Sequence, residues 1–338
     1  MKHLEIIAYF KSLNSEDQHH LANHLLEHIN ATEHSLIAER NSQIAKSGLI
    51  CPNCQSKHVV GYGKYQNAKR YKCQDCKRTF NSLTGSMAHW IHKKDLLKQY
   101  IYFMLQGYSL RKISTELNIC LKTSFDWRHK ILNSLSQEGD IKLSGVVEAD
   151  ETFFLYSEKG NKNLDGRKAR KRGGKAGKKG INKDHVAVLT AYERKSGTFT
   201  NSVVCRGRIT KKAIEKGLGE KLNKQESILC VDSHKSYEGF AMDNQINVKR
   251  IFVRRKEFVI EKIYHIQHVN NIHSNMKYWM FKFHGVSTKY LQNYMNYFTL
   301  VKKIGFSIDK AEKAMSILLQ HNNVFIKRNN INQQICIT

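Results

Sequence analysis

The 338-residue chain has no apolar run approaching the ~20 residues of a membrane span. Met1-Lys2-His3-Leu4-Glu5 lacks the apolar core of a signal peptide. These absences predict a chain in a reducing cytosol, where its eight cysteines serve as metal ligands or core residues before disulfides. Acidic residues are scarce as well: 29 Asp plus Glu stand against 56 Lys plus Arg, a formal net charge of +27 with a pI near 9.7. Such an excess favours capture of polyanions and specifies no fold. A basic ribosome- or RNA-associated protein would show the same balance. The length allows two or three domains with a sizeable core in the largest.

The cysteines are not scattered. Cys51-Pro52-Asn53-Cys54 and Cys73-Gln74-Asp75-Cys76 form two CxxC knuckles with residues 55–72 between them. Four thiolates at this spacing can close a tetrahedral zinc site, and the structural Zn²⁺ then replaces a core that residues 46–90 are too few to build. His58-Val59-Val60 and Lys69-Arg70-Tyr71-Lys72, joined through Gly61 and Gly63, predict the strands of a zinc ribbon. Lys69, Arg70, Lys72, Lys77 and Arg78 could meet phosphates or form a solvated face. Residues 1–45 read as a helical segment, with Ser15 and Gln18 at capping-box spacing and Leu21, Leu25 and Ile29 on one face. No chemistry is assigned to them.

Residues 91–140 carry a helix-turn-helix pattern. Leu96, Leu97, Tyr100, Ile101 and Met104 supply one apolar face, which Gly107 ends. Ser109 can cap a second helix holding Ile113 and Leu117, and Asn118-Ile119-Cys120 fits the tight turn. Thr123, with Asp126 after it, is expected to start a third helix containing Phe125, Trp127, Ile131 and Leu132. The early residues of that helix would face a DNA major groove, which makes Lys122, Ser124 and Arg128 the candidate base or phosphate contacts. Cys120 is expected in the core.

Residues 141–305 alternate strands and helices, which predicts an α/β domain with a mixed sheet and helices on both faces. Asp150 ends the apolar run Val146-Val147-Glu148-Ala149, and Asp232 ends Ile228-Leu229-Cys230-Val231. Two buried strands that each finish in a carboxylate present oxygen ligands side by side at one sheet edge. Hard divalent cations such as Mg²⁺ prefer one or two such carboxylates together with substrate phosphates. His185–Tyr192 and Thr198–Cys205 read as a strand pair, and a further strand covers Val248–Val253. Helices are expected around Lys211–Leu218, Tyr237–Met242 and Val269–Phe283. Asn270 and Lys277 stand one heptad apart on the last of these and share a face. Alternation puts Glu148 on the strand face of Asp150, as a supporting residue, and leaves the role of Glu151 open. His234 and His273 could orient water or phosphate, or be hydrogen-bonded structural histidines. A basic insertion, 159–181, holds ten Lys or Arg against one Asp within residues 159–179. Its Arg167, Arg170, Lys171 and Arg172 are candidate DNA contacts, expected to be ordered by an anion. Residues 306–338 read as a C-terminal helix and a tail.

CPNC…YKCQDCKRTF, GYSLRKISTELNICLKTSFDWRHKIL, VVEADET, RKARKRGGKAGKKG, CVDSHKSY and HVNNIHSNMKYWMFKFHGVSTKYLQNYMNYF occur in that order. Over residues 49–300 the chain thereby resembles bacterial insertion-sequence transposases of the DDE type, in their zinc-ribbon-bearing, ISXO-like group. The resemblance implies an RNase H-like catalytic domain preceded by the zinc ribbon and the helix-turn-helix. It implies a catalytic Mg²⁺ or Mn²⁺, double-stranded DNA as partner (element ends and target), and a homo-oligomer on that DNA. It also implies a cytoplasmic, nucleoid-associated protein that cleaves and transfers strands at terminal inverted repeats. Asp150 and Asp232 match the two family aspartates, Asn270 occupies the place where many relatives have Glu, and Lys277 matches the basic residue one heptad later. A neutral amide is a poorer ligand than a carboxylate. Asn270 therefore keeps a second reading open, a sequence-specific DNA-binding regulator or domesticated, catalytically inactive transposase. A nuclease that cuts without joining is a third. Gly285 is expected to allow a turn, and Tyr290 and Tyr294 to pack rather than react.

Overall fold

A computed structural model describes residues 3–21, 32–65, 68–135, 141–164, 173–305 and 310–320. Two units divide these residues: the chain up to Ser134 together with Lys310–Gln320, and Leu135–Gly305.

The first unit begins with helices α1 (His3–Ser12) and α2 (Thr32–Ser47). Between them a short helical stretch starts at Ser15, and its cap is Asn14, whose Oδ1 accepts the Asp17 N–H at 2.8 Å. Leu25 and Ile29 lie outside the described residues. The ribbon follows as β1 (Val59–Tyr65), β2 (Ala68–Cys73) and β3 (Thr79–Asn81), an antiparallel sheet in that order. Its interior consists of Cys51, Cys73 and Phe80, with Tyr71 packed 5.6 Å from the Phe80 ring. So small a core cannot hold three strands by burial alone.

Helices α3 (Leu97–Leu105), α4 (Leu110–Glu116) and α5 (Leu121–Ser134) form the trihelical element. Leu97, Tyr100, Ile101 and Met104 are buried, Gly107 turns the chain at φ +79°, and the Ser109 side chain caps α4 by accepting the Lys112 N–H. The turn into α5 places Asn118 at φ +47° and buries Ile119; asparagine tolerates this left-handed conformation better than most residues. Two expectations are corrected here. Helix α5 starts at Leu121 rather than Thr123, and Cys120 is exposed, its Sγ accepting the Thr123 N–H at 3.4 Å. The thiol performs the capping that Thr123 was expected to provide. Helix α10 (Lys310–Gln320) completes this unit: buried Arg40 on α2 donates to the carbonyls of Ser82 and Leu319.

The second unit is built on a five-stranded sheet. In chain order its strands are β4 (Leu143–Leu155), β5 (His185–Glu193), β6 (Phe199–Arg206), β7 (Leu222–Asp232) and β8 (Asn247–Ile251); in space they run β6-β5-β4-β7-β8. The first three pair antiparallel, whereas β7 and β8 are parallel to β4 and to each other. Short hairpins suffice for antiparallel strands, but parallel ones need crossover connections. Those are supplied by α6 (Lys211–Ile214), a π-helical turn at Glu215–Gly219, and α7 (Lys235–Asp243). A Cβ on Gly217 would meet Val204 Cγ1 at 2.6 Å, so that turn closes onto β6 only because residue 217 is glycine.

Alternation sorts each strand between two faces. Val147, Ala149, Leu189, Leu229 and Val231 pack with Ile214, Leu218, Tyr237 and Phe240. On the other face Cys230 and Ile251 meet Ile266, which precedes α8 (Gln267–Phe281). Helix α9 (Leu291–Ile304) backs α8, with Trp279 lying 5.0 Å from Tyr297 and 5.5 Å from Phe298. Tyr290 and Tyr294 are buried, and Gly285 turns the chain at φ +92°.

Candidate active site

Strands β4 and β7 run parallel with Glu148 opposite Cys230. Two residues further along, that register sets Asp150 beside Asp232. The expectation that both strands end in their carboxylates holds only for β7. Strand β4 continues past Asp150 to Leu155, paired there with β5 alone. Asp150 therefore sits inside a strand whose flank opens where β7 stops.

The Asp150 side chain is 19% exposed, and Nδ1 of His273 lies 3.7 Å from its Oδ2. Burial pushes the Asp150 carboxyl up to about 8; the neighbouring Glu151 and Asp232 act in the same direction, and Lys277 acts against them. Asp232 accepts the His234 N–H at 3.0 Å. Two carboxylates this close cannot both ionise freely without added positive charge.

That charge comes in part from α8. Val269, His273, Met276, Trp279 and Met280 form its buried side, and Asn270 and Lys277 stand exposed. Burial, and then Lys277, hold the His273 imidazole down to about 4, so the ring is neutral. Its Nε2 is buried with no hydrogen-bond partner among the described residues. Asp150, Asp232, His273 and Lys277 thus share one neighbourhood, with Asn270 one turn before His273 on the same helix.

Glu148 is fully buried, and its contacts explain how α8 is held. Oε1 accepts from Arg194 Nε at 2.7 Å and from His268 Nδ1 at 2.7 Å. Oε2 accepts the backbone N–H groups of His268 (3.0 Å) and Val269 (3.3 Å). A carboxylate at the positive end of a helix satisfies otherwise orphaned donors. Arg194 also donates to the carbonyls of Ile263 and His265, which fixes the approach to α8. Tyr192 stacks on His268 at 4.9 Å. Glu148, His265 and His268 have metal-ligating atoms within 4.8 Å of one another, but the Arg194 guanidinium already occupies the position of a cation there. Sequence reasoning missed Arg194 and His268. Arg194 becomes relevant only once the β4–β5 register puts Val147 opposite Glu193.

Glu151 points to the other sheet face, where the buried Tyr237 hydroxyl donates to its Oε2 at 2.8 Å; burial raises its carboxyl. His234 caps α7, its Nδ1 accepting the Ser236 N–H, which is the structural alternative for that residue.

In the ribbon, the Sγ atoms of Cys51, Cys54, Cys73 and Cys76 all lie within 4.8 Å of one another. Cys51–Cys76 and Cys54–Cys73 are each 3.6 Å apart. A tetrahedron with Zn–S bonds of ~2.3 Å needs sulfurs roughly 3.8 Å apart, so the four thiols fit zinc. The backbone N–H of Cys76, and then that of Asp75, draw the Cys73 thiol down to about 6, which favours the thiolate that a metal requires.

Two expected DNA contacts are corrected. Ser124 and Arg128 are buried, because Trp127, Ile131 and Leu132 on the same helix turn this side inward. Ser124 Oγ donates to the Leu110 carbonyl and Arg128 Nη2 to that of Tyr108 at 2.7 Å. Lys122 is exposed and pairs with Asp126 at 2.8 Å. On the ribbon, Lys69, Lys77 and Arg78 are exposed, and Arg70 and Lys72 each stand 5.4 Å from the Tyr62 ring. Arg167, Arg170, Lys171 and Arg172 lie outside the described residues. No described helix is long and apolar enough to cross a membrane.

The mixed sheet in this order, with aspartates on its adjacent parallel strands, is the arrangement expected of the RNase H-like domain that the resemblance implied. Residues 142–300 match the family model described as the ISXO2-like transposase domain. The chain is similar to a protein described as an uncharacterized protein in transposable element ISH50 of Halobacterium salinarum. The two are 27% identical over 267 residues, which is 77% of this chain and 87% of the relative. That relative is archaeal, so the bacterial host expected above rests on the resemblance alone. A solved structure, a pre-cleavage Mos1 transpososome, aligns over 66% of this chain and 75% of its own at 7% identity. Its TM-score of 0.25 is too low to bear on the fold.

Proposed function

We propose that this chain is the transposase of an insertion sequence, binding the terminal inverted repeats and catalysing divalent-metal-dependent cleavage and strand transfer. The observation that carries the reading is the pairing of Asp150 with Asp232 under a helix that presents Lys277. The Asp150 carboxyl, pushed up to about 8 by burial and then by Glu151 and Asp232, marks a place where a cation would be favoured. Asp150 and Asp232 would hold Mg²⁺ or Mn²⁺, which when bound activates water or a 3′-hydroxyl and offsets charge on the leaving oxygen. Lys277 binds the scissile strand through a phosphate and neutralises charge that develops there. His273 keeps a neutral ring against Asp150 and excludes water from its buried side. The Asn270 amide oxygen faces the same substrate from one turn earlier. The cysteine ribbon, with its structural zinc, and the helix-turn-helix supply end recognition, with the basic insertion as a clamp on the DNA. The assembly on paired ends is a homo-oligomer.

Asn270, standing where many relatives have Glu, favours the second reading, a regulator that binds ends without chemistry. Purified protein incubated with labelled duplexes from its own flanking ends, in Mg²⁺ or Mn²⁺ and beside Asp232→Ala, separates the two. Cleavage and joining that vanish in the mutant, with end binding retained, support the transposase. End binding without chemistry in both proteins supports the regulator, and loss of both properties together in the mutant refutes the assignment of Asp232.

A further inference from the structure

At 100° per residue, positions seven and eleven residues along a helix return to within ~20° of the start. Asn270, Lys277 and Phe281 therefore lie on one stripe of α8. Phe281 closes the helix and is 74% exposed; Tyr278, next to Lys277, is 73% exposed. Neither ring serves the α8–α9 packing, which Trp279 carries.

One of these rings has a cation beside it. The Lys282 ammonium stands 5.8 Å from the Tyr278 ring centroid. The root of the basic insertion is fastened at the same end of the helix: Lys159 Nζ donates to the carbonyls of His284 (3.1 Å) and Gly285 (2.8 Å). Ser157 donates its N–H to Thr288 Oγ1 and accepts the Thr288 N–H, at 2.8 and 2.7 Å. Two flat apolar faces thus lie between Lys277 and the first lysine of residues 159–181. A ligand for such a surface must combine repeated negative charge with flat apolar rings. A DNA strand with a base out of its stack has both, and aromatic side chains are the usual platforms for such bases.

Resting on the transposase reading, we propose that Phe281 and Tyr278 form a stacking subsite for one nucleobase of the strand whose phosphate Lys277 holds. Lys277 and Phe281 are about 6 Å apart along the helix axis. The stacked base therefore belongs to a nucleotide adjacent to that phosphate.

The test measures binding in Ca²⁺, where no chemistry is required. Wild type, Phe281→Ala, Phe281→Trp and Lys277→Ala are titrated with end duplexes. The same duplexes are then given a single abasic site, stepped through the nucleotides flanking the cut. Phe281→Ala is expected to weaken binding to the intact end about tenfold, within the range for one base–aromatic stack, and Phe281→Trp to restore it. At one abasic position the Phe281→Ala penalty disappears, whereas the Lys277→Ala penalty persists at every position. A Phe281→Ala penalty that is absent, or constant across the whole series, overturns the subsite alone. So does a fall in oligomer mass by light scattering with that constant penalty, because a second copy of the chain then covers the rings. Wild-type protein that ignores its own ends overturns the transposase reading and the subsite with it.

Discussion

Glu148 accepts hydrogen bonds from both the backbone N–H and the ring Nδ1 of His268, at 3.0 and 2.7 Å. The strand that carries Asp150 thereby grips the first turn of the helix that carries Asn270 and Lys277. Arg194, 18% exposed and next after the last residue of β5, closes the arrangement. Removing one partner of a buried ion pair typically costs about 3–5 kcal/mol. Glu148→Ala is expected to lose stability on that scale in thermal unfolding. The milder Glu148→Gln should keep its fold and end binding but cut more slowly, through misplacement of α8. Unchanged cleavage by a folded Glu148→Gln would remove Glu148 from the positioning of the site.

Asp150 ionises with difficulty in the folded protein, at about 8 against an ordinary 3.8. A group whose folded value is raised contributes stability below its unfolded value and loses it as pH rises through the folded one. Between the ordinary 3.8 and about 8 the metal-free protein should therefore become less stable through this residue as pH rises. Asp150→Asn should melt higher than wild type at pH 9, with the gap narrowing as pH falls and closing only near the ordinary carboxylate value of 3.8. Mg²⁺ or Mn²⁺ should raise the wild-type melting temperature at pH 8 and leave Asp150→Asn almost unmoved. A wild-type advantage at pH 9 without metal would contradict the sign.

The ribbon has little besides its cysteines and Phe80 inside it. Elemental analysis should find one zinc per wild-type chain, lost in Cys73→Ser together with the protection of the 59–81 backbone from hydrogen exchange. Full protection after chelation would mean that the strands stand without metal.

Helix α5 offers a contrast between two cations. Arg128→Ala leaves the Tyr108 carbonyl without its donor and opens a buried space, so it should lower stability by about 1–3 kcal/mol. Lys122→Ala should leave the melting temperature within a degree or so. If Lys122 meets a phosphate, that variant should weaken end binding across sequences and reduce the salt slope by about one. Equal effects of both variants on DNA and on stability would contradict this division.

Much of this protein was legible as sequence wherever the constraint is local. The CxxC pairs identify their partners because zinc accepts only a narrow ligand geometry, and Cys51, Cys54, Cys73 and Cys76 do converge. Apolar periodicity located α3, α4, α8 and the strands of the mixed sheet. Capping chemistry was read less well: Ser109 caps α4, but Asn14 and Cys120 serve where Ser15 and Thr123 were expected. Several side chains can fill a cap, and spacing does not choose among them.

By itself, then, the sequence determined the order of ribbon, helix-turn-helix and mixed sheet, and which strands carry Asp150 and Asp232, because helical period, strand alternation and ligand spacing act within a few residues. Only the tertiary structure decided that Glu148 meets Arg194 and His268, that Ser124 and Arg128 face inward, and that Lys159 fastens the basic insertion beside Phe281. Those outcomes depend on strand register and on which helix covers which face. Both are set by burying apolar surface between segments distant in the chain, a condition that no local pattern encodes.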